Sequence, residues 1–141
     1  MLITDTDTGG AGRIDRVEGV ANSLFSAVEQ GDTGAIEALF DDDIAVWHSG
    51  DRRDNDRARA LRVLHWFITT TTERHYDVFD RQFFSTGSAP GFVQQHILHA
   101  TGTNGGSIAL RVCIVIKVGE NDLINRIDEY FDPADMAALM N

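Results

Sequence analysis

Glu129 stands where a carboxylate is least expected. The stretch Leu123–Phe131 alternates as a strand does, so Leu123, Ile127, Glu129 and Phe131 share one face. Flanked by Ile127 and Phe131, a carboxyl is stripped of water, and its pKa rises because the ion is disfavoured. Such a group can hand over a proton, or donate a hydrogen bond, at neutral pH. His48 is the second candidate. It closes the apolar run Ile44–Trp47 and shares a face with Val46, and an imidazole titrating at about 6.5 can act as a base near neutrality. His96 and His99 resemble a metal pair, but strand residues three apart point to opposite faces and cannot chelate one ion together. One of the two therefore faces inward and the other outward. No metal or organic cofactor is implied.

The elements that must hold these groups are legible in the periodicity. Ile14, Val17, Val20, Leu24 and Val28 recur at helical spacing, predicting a helix over Arg13–Gln30 that Gly31 stops. A short helix over Thr33–Phe40 follows, then the acidic turn Asp41–Asp43, then the strand ending at His48. Asn55 is expected to cap a third helix over Asp56–Ile68, and Asp51–Asp54 reads as a surface loop rimming the site. Beyond it the pattern is that of strands: Glu73–Phe84, Phe92–Thr103, Ile108–Val118 and the last strand, with turns at Ser85–Gly91 and Asn104–Gly106. On Ile108–Val118, Val112 and Ile114 belong to the apolar face, whereas Arg111 and Cys113 lie opposite, with Arg111 expected to pair with Asp128. Asp132 and Pro133 suit the start of a closing helix. Helices followed by an antiparallel meander and a terminal helix describe an α+β domain over residues 13–141, after a flexible lead-in at residues 1–12.

With 141 residues there is room for one core and a cavity inside it. The net charge of −10 argues against nucleic acid, whose phosphates need Lys and Arg, and against an anionic membrane surface. A single cysteine, Cys113, excludes an internal disulfide. The first residues lack the basic and apolar regions of a signal peptide, so a cytoplasmic protein is expected.

The closing segment Asp122–Met140 (DLINRIDEYFDPADMAALM) resembles that of the SnoaL-like branch of the nuclear transport factor 2-like superfamily, and the order of elements over roughly residues 13–140 resembles it too. The resemblance implies a conical, curved antiparallel sheet wrapped over N-terminal helices, open at one end to a pocket. That scaffold carries isomerases, hydrolases, cyclases, dehydratases and binding modules, so it constrains function weakly. The segment Asp42–His48 (DDIAVWH) is similar to the stretch ending in the general-base aspartate of ketosteroid isomerases, with His48 in its place. Glu129 resembles the second catalytic aspartate of limonene epoxide hydrolase-like proteins. Their Arg-x-Asp pair would fall at Ile97 and His99, and neither residue matches. This alignment favours His99 and Gln95 as pocket-facing; a shift of one residue puts His96 and Gln94 there instead. The pocket is then expected to be lined by Val46, Tyr76, Gln95 and Ile97, with Val112, Ile114, Ile127 and Phe131.

Together these readings predict an acid–base enzyme of the isomerase, dehydratase or cyclase type, acting on a small, largely apolar carbonyl or hydroxyl compound. His48, Glu129 and His99 would move its protons. A binding module for a hydrophobic ligand and an epoxide hydrolase-type enzyme are the alternatives. A homodimer through the outer sheet face is expected.

Overall fold

The computed structural model describes residues 2–85 and 90–140, with side chains from residue 12 onward. Two helices, α1 (Leu2–Gln30) and α2 (Thr33–Leu39), lead into the strand β1 (Phe40–His48); a third helix, α3 (Arg57–Thr70), is followed by four strands, β2 (Thr71–Phe84), β3 (Gly91–Gly102), β4 (Ser107–Val118) and β5 (Ile124–Tyr130). A 3-10 helix, Pro133–Leu139, ends the fold. The expected lead-in falls mostly on residues 1–11, whose side chains lie outside those described, and the turn expected at Ser85–Gly91 also falls partly outside them. Among the described residues no helix is long and apolar enough to cross a membrane.

The strands form one open sheet in the order β1-β5-β4-β3-β2. The expected meander, β2 to β5, is antiparallel throughout, whereas β1 joins the edge of β5 in parallel, so the sheet is mixed. The chain crosses from β1 to β5 only after building everything between them. The acidic run Asp41–Asp43 is shed from the ladder: Phe40 pairs with Ile124 and Ala45 with Arg126, which leaves the intervening residues as an excursion. The Asp41 side chain closes it by accepting from the Asp43 N–H at 2.9 Å.

One face of the sheet is covered by α1, whose Val17, Ala21, Leu24, Phe25 and Val28 are buried. Against them lie Ile108, Leu110, Val112, Ile114, Ile116 and Val118 of β4, every second residue as the pattern predicted. Two irregularities change the reading elsewhere. On β5, Val118 faces Ile124 but Lys117 faces Arg126, so Asn125 is an extra residue. That bulge turns Ile124 rather than Leu123 into the core. On the outer face the Asp128 carboxylate is taken by Arg126 (Nη2 to Oδ1, 2.6 Å) and not by Arg111. The Arg111 guanidinium instead lies over the Phe79 ring, 5.1 Å from its centroid.

On β3 the inward set is Phe92, Gln94, His96, Leu98 and Ala100. His96 is therefore the inner histidine, and His99, Gln95 and Ile97 belong to the outer face. His96 is wholly buried and set by a chain of donors. Arg81 Nε donates to Gln94 Oε1 at 2.7 Å, which turns the Gln94 amide nitrogen toward His96 Nδ1 at 2.9 Å. Since that nitrogen can only donate, His96 Nδ1 accepts and its proton sits on Nε2. Among the described residues Nε2 has no hydrogen-bond partner, and the imidazole packs edge-on to Tyr76 with centroids 4.8 Å apart. Burial, and secondarily the Arg81 charge, lower the His96 pKa to about 4.

A histidine that is neutral when folded but free to titrate when unfolded makes stability depend on pH. The unfolded chain takes up a proton at about 6.5, the folded one only at about 4. Stability is thus full above the first value and falls as pH drops toward the second, by as much as roughly 3 kcal/mol. Urea melts of the wild type and of His96→Leu between pH 7 and pH 4 should show the wild type losing stability and the variant losing markedly less.

Candidate active site

The parallel pairing of β1 with β5 sets His48 directly opposite Glu129. Because paired residues in a sheet share a face, both side chains enter the same space. His48 Nε2 lies 3.6 Å from Glu129 Oε1, with side chains 21% and 22% exposed. What exposes them is a hollow of about 500 Å³, open at one end and mostly apolar. Val28, Leu64, Phe67, Leu98, Leu110 and Phe131 line it, and Pro133, Met136 and Met140 form part of its rim. A smaller hollow beneath continues to Val46, Ile114 and Ile127, with His48, Tyr76 and Glu129 common to both.

A tight turn immediately after β1 fixes the imidazole. Gly50, at φ +96°, lets the chain reverse so that Asp51 N–H donates to His48 C=O at 2.9 Å. Asp51 Oδ2 thereby accepts from the His48 backbone N–H at 2.9 Å and from Asn55 Nδ2 at 2.8 Å. It also lies 3.2 Å from His48 Nδ1. Burial opposes the Asp51 charge, yet these hydrogen bonds outweigh it and hold the carboxyl below its ordinary pKa. An ionised Asp51 can only accept, so His48 carries its proton on Nδ1 and turns the Nε2 lone pair into the hollow.

Asn55, expected as a helix cap, is buried and does other work. It forms a backbone bridge with Val46 and donates from Nδ2 to Val46 C=O at 3.0 Å, while Asp56 caps α3 by accepting from Arg59 N–H. The turn and the strand end are thus one hydrogen-bonded unit. Spacing alone places Asp51 in a loop and Asn55 at a helix start, because their contacts with His48, with Val46 C=O and with each other depend on the geometry of a turn; the one signal in the sequence is the tight series His48, Asp51, Asn55 beside Gly50.

Glu129 has the opposite environment. Burial raises its pKa, and the nearby His48 offsets this in part. Tyr76 comes from β2, at the opposite edge of the sheet, and enters the hollow from the same face. Its hydroxyl has no hydrogen-bond partner among the described residues, and its pKa is pushed up by burial and then by the Glu129 and Glu29 carboxylates. It remains a neutral donor. The hollow therefore combines an oriented imidazole lone pair, a carboxyl inclined to hold its proton and a phenol that can donate. That set can remove, return and stabilise charge around one oxygen.

Of the expected lining residues, Tyr76 and Phe131 border the main hollow, and Val46, Ile114 and Ile127 the deeper one. Val112 is buried in the core and borders neither. Gln95, Ile97 and His99 point away through the sheet, a consequence of the frame of β3, and His99 stands beside His75 on the far side with ring centroids 6.4 Å apart. No histidine of β3 reaches the hollow, since His96 is sealed among aromatic rings. Among the described residues no group of His, Cys, Asp and Glu side chains could hold a metal ion.

No family model matches the sequence, and no curated protein matches it. Solved structures do resemble it. A Δ5-3-ketosteroid isomerase from Mycobacterium sp. superposes with a TM-score of 0.71 at 19% identity, covering 85% of this chain and 95% of that one. An epoxide hydrolase of the LEH-like type from M. tuberculosis gives 0.69 at 16%, covering 92% of each chain. A member of the NTF2-like family from Streptomyces avermitilis gives 0.73 at 13%, covering 86% and 98%. At such identities what is shared is the fold: the chain has an α+β fold like that of the NTF2-like family member and of the ketosteroid isomerase.

Proposed function

We propose that the chain is a cofactor-independent acid–base enzyme acting on a small, largely apolar compound with a carbonyl or hydroxyl group, by isomerisation, dehydration or cyclisation. The observation that carries this reading is the Asp51–His48–Glu129 series, whose reactive atoms meet at the wall of an apolar hollow. His48 Nε2 takes the proton from carbon, Asp51 steadies the imidazolium that results, and Glu129 or Tyr76 donates to the substrate oxygen as negative charge gathers there. Tyr76 takes the place that the sequence had suggested for His99. The similar ketosteroid isomerase and epoxide hydrolase are consistent with an enzyme on this scaffold. Epoxide opening has less support, because the inner positions of β3 hold Gln94, His96 and Leu98 and supply no Arg-x-Asp pair.

A non-catalytic binding module would need the same hollow but not the oriented lone pair. The Asp51–His48 contact favours the enzyme, since a ligand-holding site gains nothing from a fixed tautomer.

Two measurements test this. The tautomer is read directly by nitrogen NMR of His48: the proton should reside on Nδ1 in the wild type, and Asp51→Ala should give a mixture of both forms. Catalysis can be sought without knowing the natural substrate, by following deuterium exchange next to the carbonyl of bicyclic apolar ketones in D2O. The wild type should accelerate exchange, and His48→Ala and Glu129→Gln should each lower the rate by about 10²–10⁴-fold. Exchange no faster than in buffer across the panel, or full activity in both variants, would leave the binding module as the better account.

A further inference from the structure

The chain is strongly acidic, yet its positive charge is gathered at one place. Residues 52–62 hold five arginines (Arg52, Arg53, Arg57, Arg59 and Arg62) against two aspartates, in a protein of net charge −10 with twelve Lys and Arg altogether. This stretch runs from the turn that fixes His48 into the first turns of α3. Arg59 lines the mouth of the hollow, and with Arg62, Val63 and Trp66 it also forms an adjoining open depression of about 380 Å³.

Neither arginine is committed within the fold. Among the described residues the side chains of Arg59 and Arg62 have no hydrogen-bond or ion-pair partner. By contrast, Arg57 is anchored on Glu37 C=O at 2.8 Å and Arg126 on two carboxylates. Residues 59, 62, 63 and 66 follow the three- and four-residue spacing of one helix face. Val63 and Trp66 are 42% and 39% exposed, an apolar strip beside two free cations. The N-terminal end of α3 adds its own partial positive charge nearby.

The floor of the hollow is the reverse. Its inner wall carries the Asp51 and Glu129 carboxyls, and among the described lining residues Arg59 at the mouth is the only Lys or Arg, so an anion is repelled by Asp51 and drawn to the mouth. We infer that the ligand is an amphipathic anion: an apolar body that fills the hollow, and an acidic group, carboxylate or phosphate, held at the rim by Arg59 and Arg62 beside Trp66. This rests on the acid–base reading of the inner wall and adds to it the orientation of the substrate. The carbonyl or hydroxyl end enters first, toward His48 and Glu129, and the charged end stays in contact with solvent.

The probe is 8-anilinonaphthalene-1-sulfonate, compared with its neutral counterpart N-phenyl-1-naphthylamine, binding being read by fluorescence at low salt. The anionic dye should bind about tenfold more tightly, a difference of roughly 1.4 kcal/mol. The preference should shrink at 0.5 M NaCl as the charges are screened. It should vanish in the Arg59→Ala/Arg62→Ala double variant with the neutral dye unaffected, and persist in Arg13→Ala, an exposed arginine on α1. Displacement of the dye by decanoate and by decyl phosphate, each stronger than by decanol, supports the inference and shows which acid is favoured. Equal binding of the two dyes, or a preference that survives the double substitution, overturns it and leaves the acid–base reading intact. Binding of neither dye overturns both. A preference that stands while no variant alters proton exchange supports the anion site and removes the catalytic role.

Discussion

One pairing decides what this protein can do. β1 lies parallel to β5 in a register that puts residue 48 opposite residue 129. Eighty-one positions apart in the chain, an imidazole and a carboxyl are brought together by backbone hydrogen bonds rather than by their own attraction. A slip of one residue would turn one of them through to the other side of the sheet, where Trp47, Asp128 and Tyr130 now lie. The pairing is guarded at both ends. The acidic excursion absorbs extra residues near Phe40, and Ser49 ties the far end by donating its N–H to Glu129 C=O and accepting at Oγ from Phe131 N–H.

Around that pair the environment drives two carboxyls apart. Asp51 and Glu129 flank the same ring. One is given three donors and stays charged; the other is given apolar neighbours and leans toward neutrality. Such a division separates an orienting group from an exchanging one, and it follows from hydrogen bonding in the first case and desolvation in the second. The same burial that raises Glu129 also keeps Tyr76 protonated, so the hollow offers donors where a substrate oxygen would lie.

The sequence made some of this readable and hid the rest, for identifiable reasons. On β4 only one frame is apolar, so Ile108 to Val118 left a single way to face the core. On β3 both frames are nearly equivalent: Gln94, His96 and Leu98 alternate with Gln95, Ile97 and His99, each set carrying one amide, one histidine and one aliphatic residue. Periodicity does not separate them, and the family resemblance favours the outward one. Glu129 is legible because a charge stands between Ile127 and Phe131 on one face, and His48 because it ends an apolar strand. Asp51 looked like any aspartate in a loop rich in Asp and Arg; its role is created by Gly50, which turns it back on the strand it follows. Counted back from Ile127, strict alternation puts Asn125 on the apolar face and Ile124 off it, a mismatch that the bulge at Asn125 resolves by turning Ile124 inward.

The short closing helix has a bearing on how the mouth of the hollow is kept in shape. Pro133, Met136 and Met140 rim that mouth, but the helix is moored elsewhere, on the hairpin between β3 and β4, where Asn104 donates to Ala138 C=O at 3.0 Å. The fit there leaves no slack: a β-carbon on Gly106 would come within 2.3 Å of the Ala138 carbonyl oxygen. Part of the closing helix is thus held by a turn that does not itself line the hollow. A substitution at Gly106 would therefore disturb a wall of the hollow while leaving every reactive side chain in place.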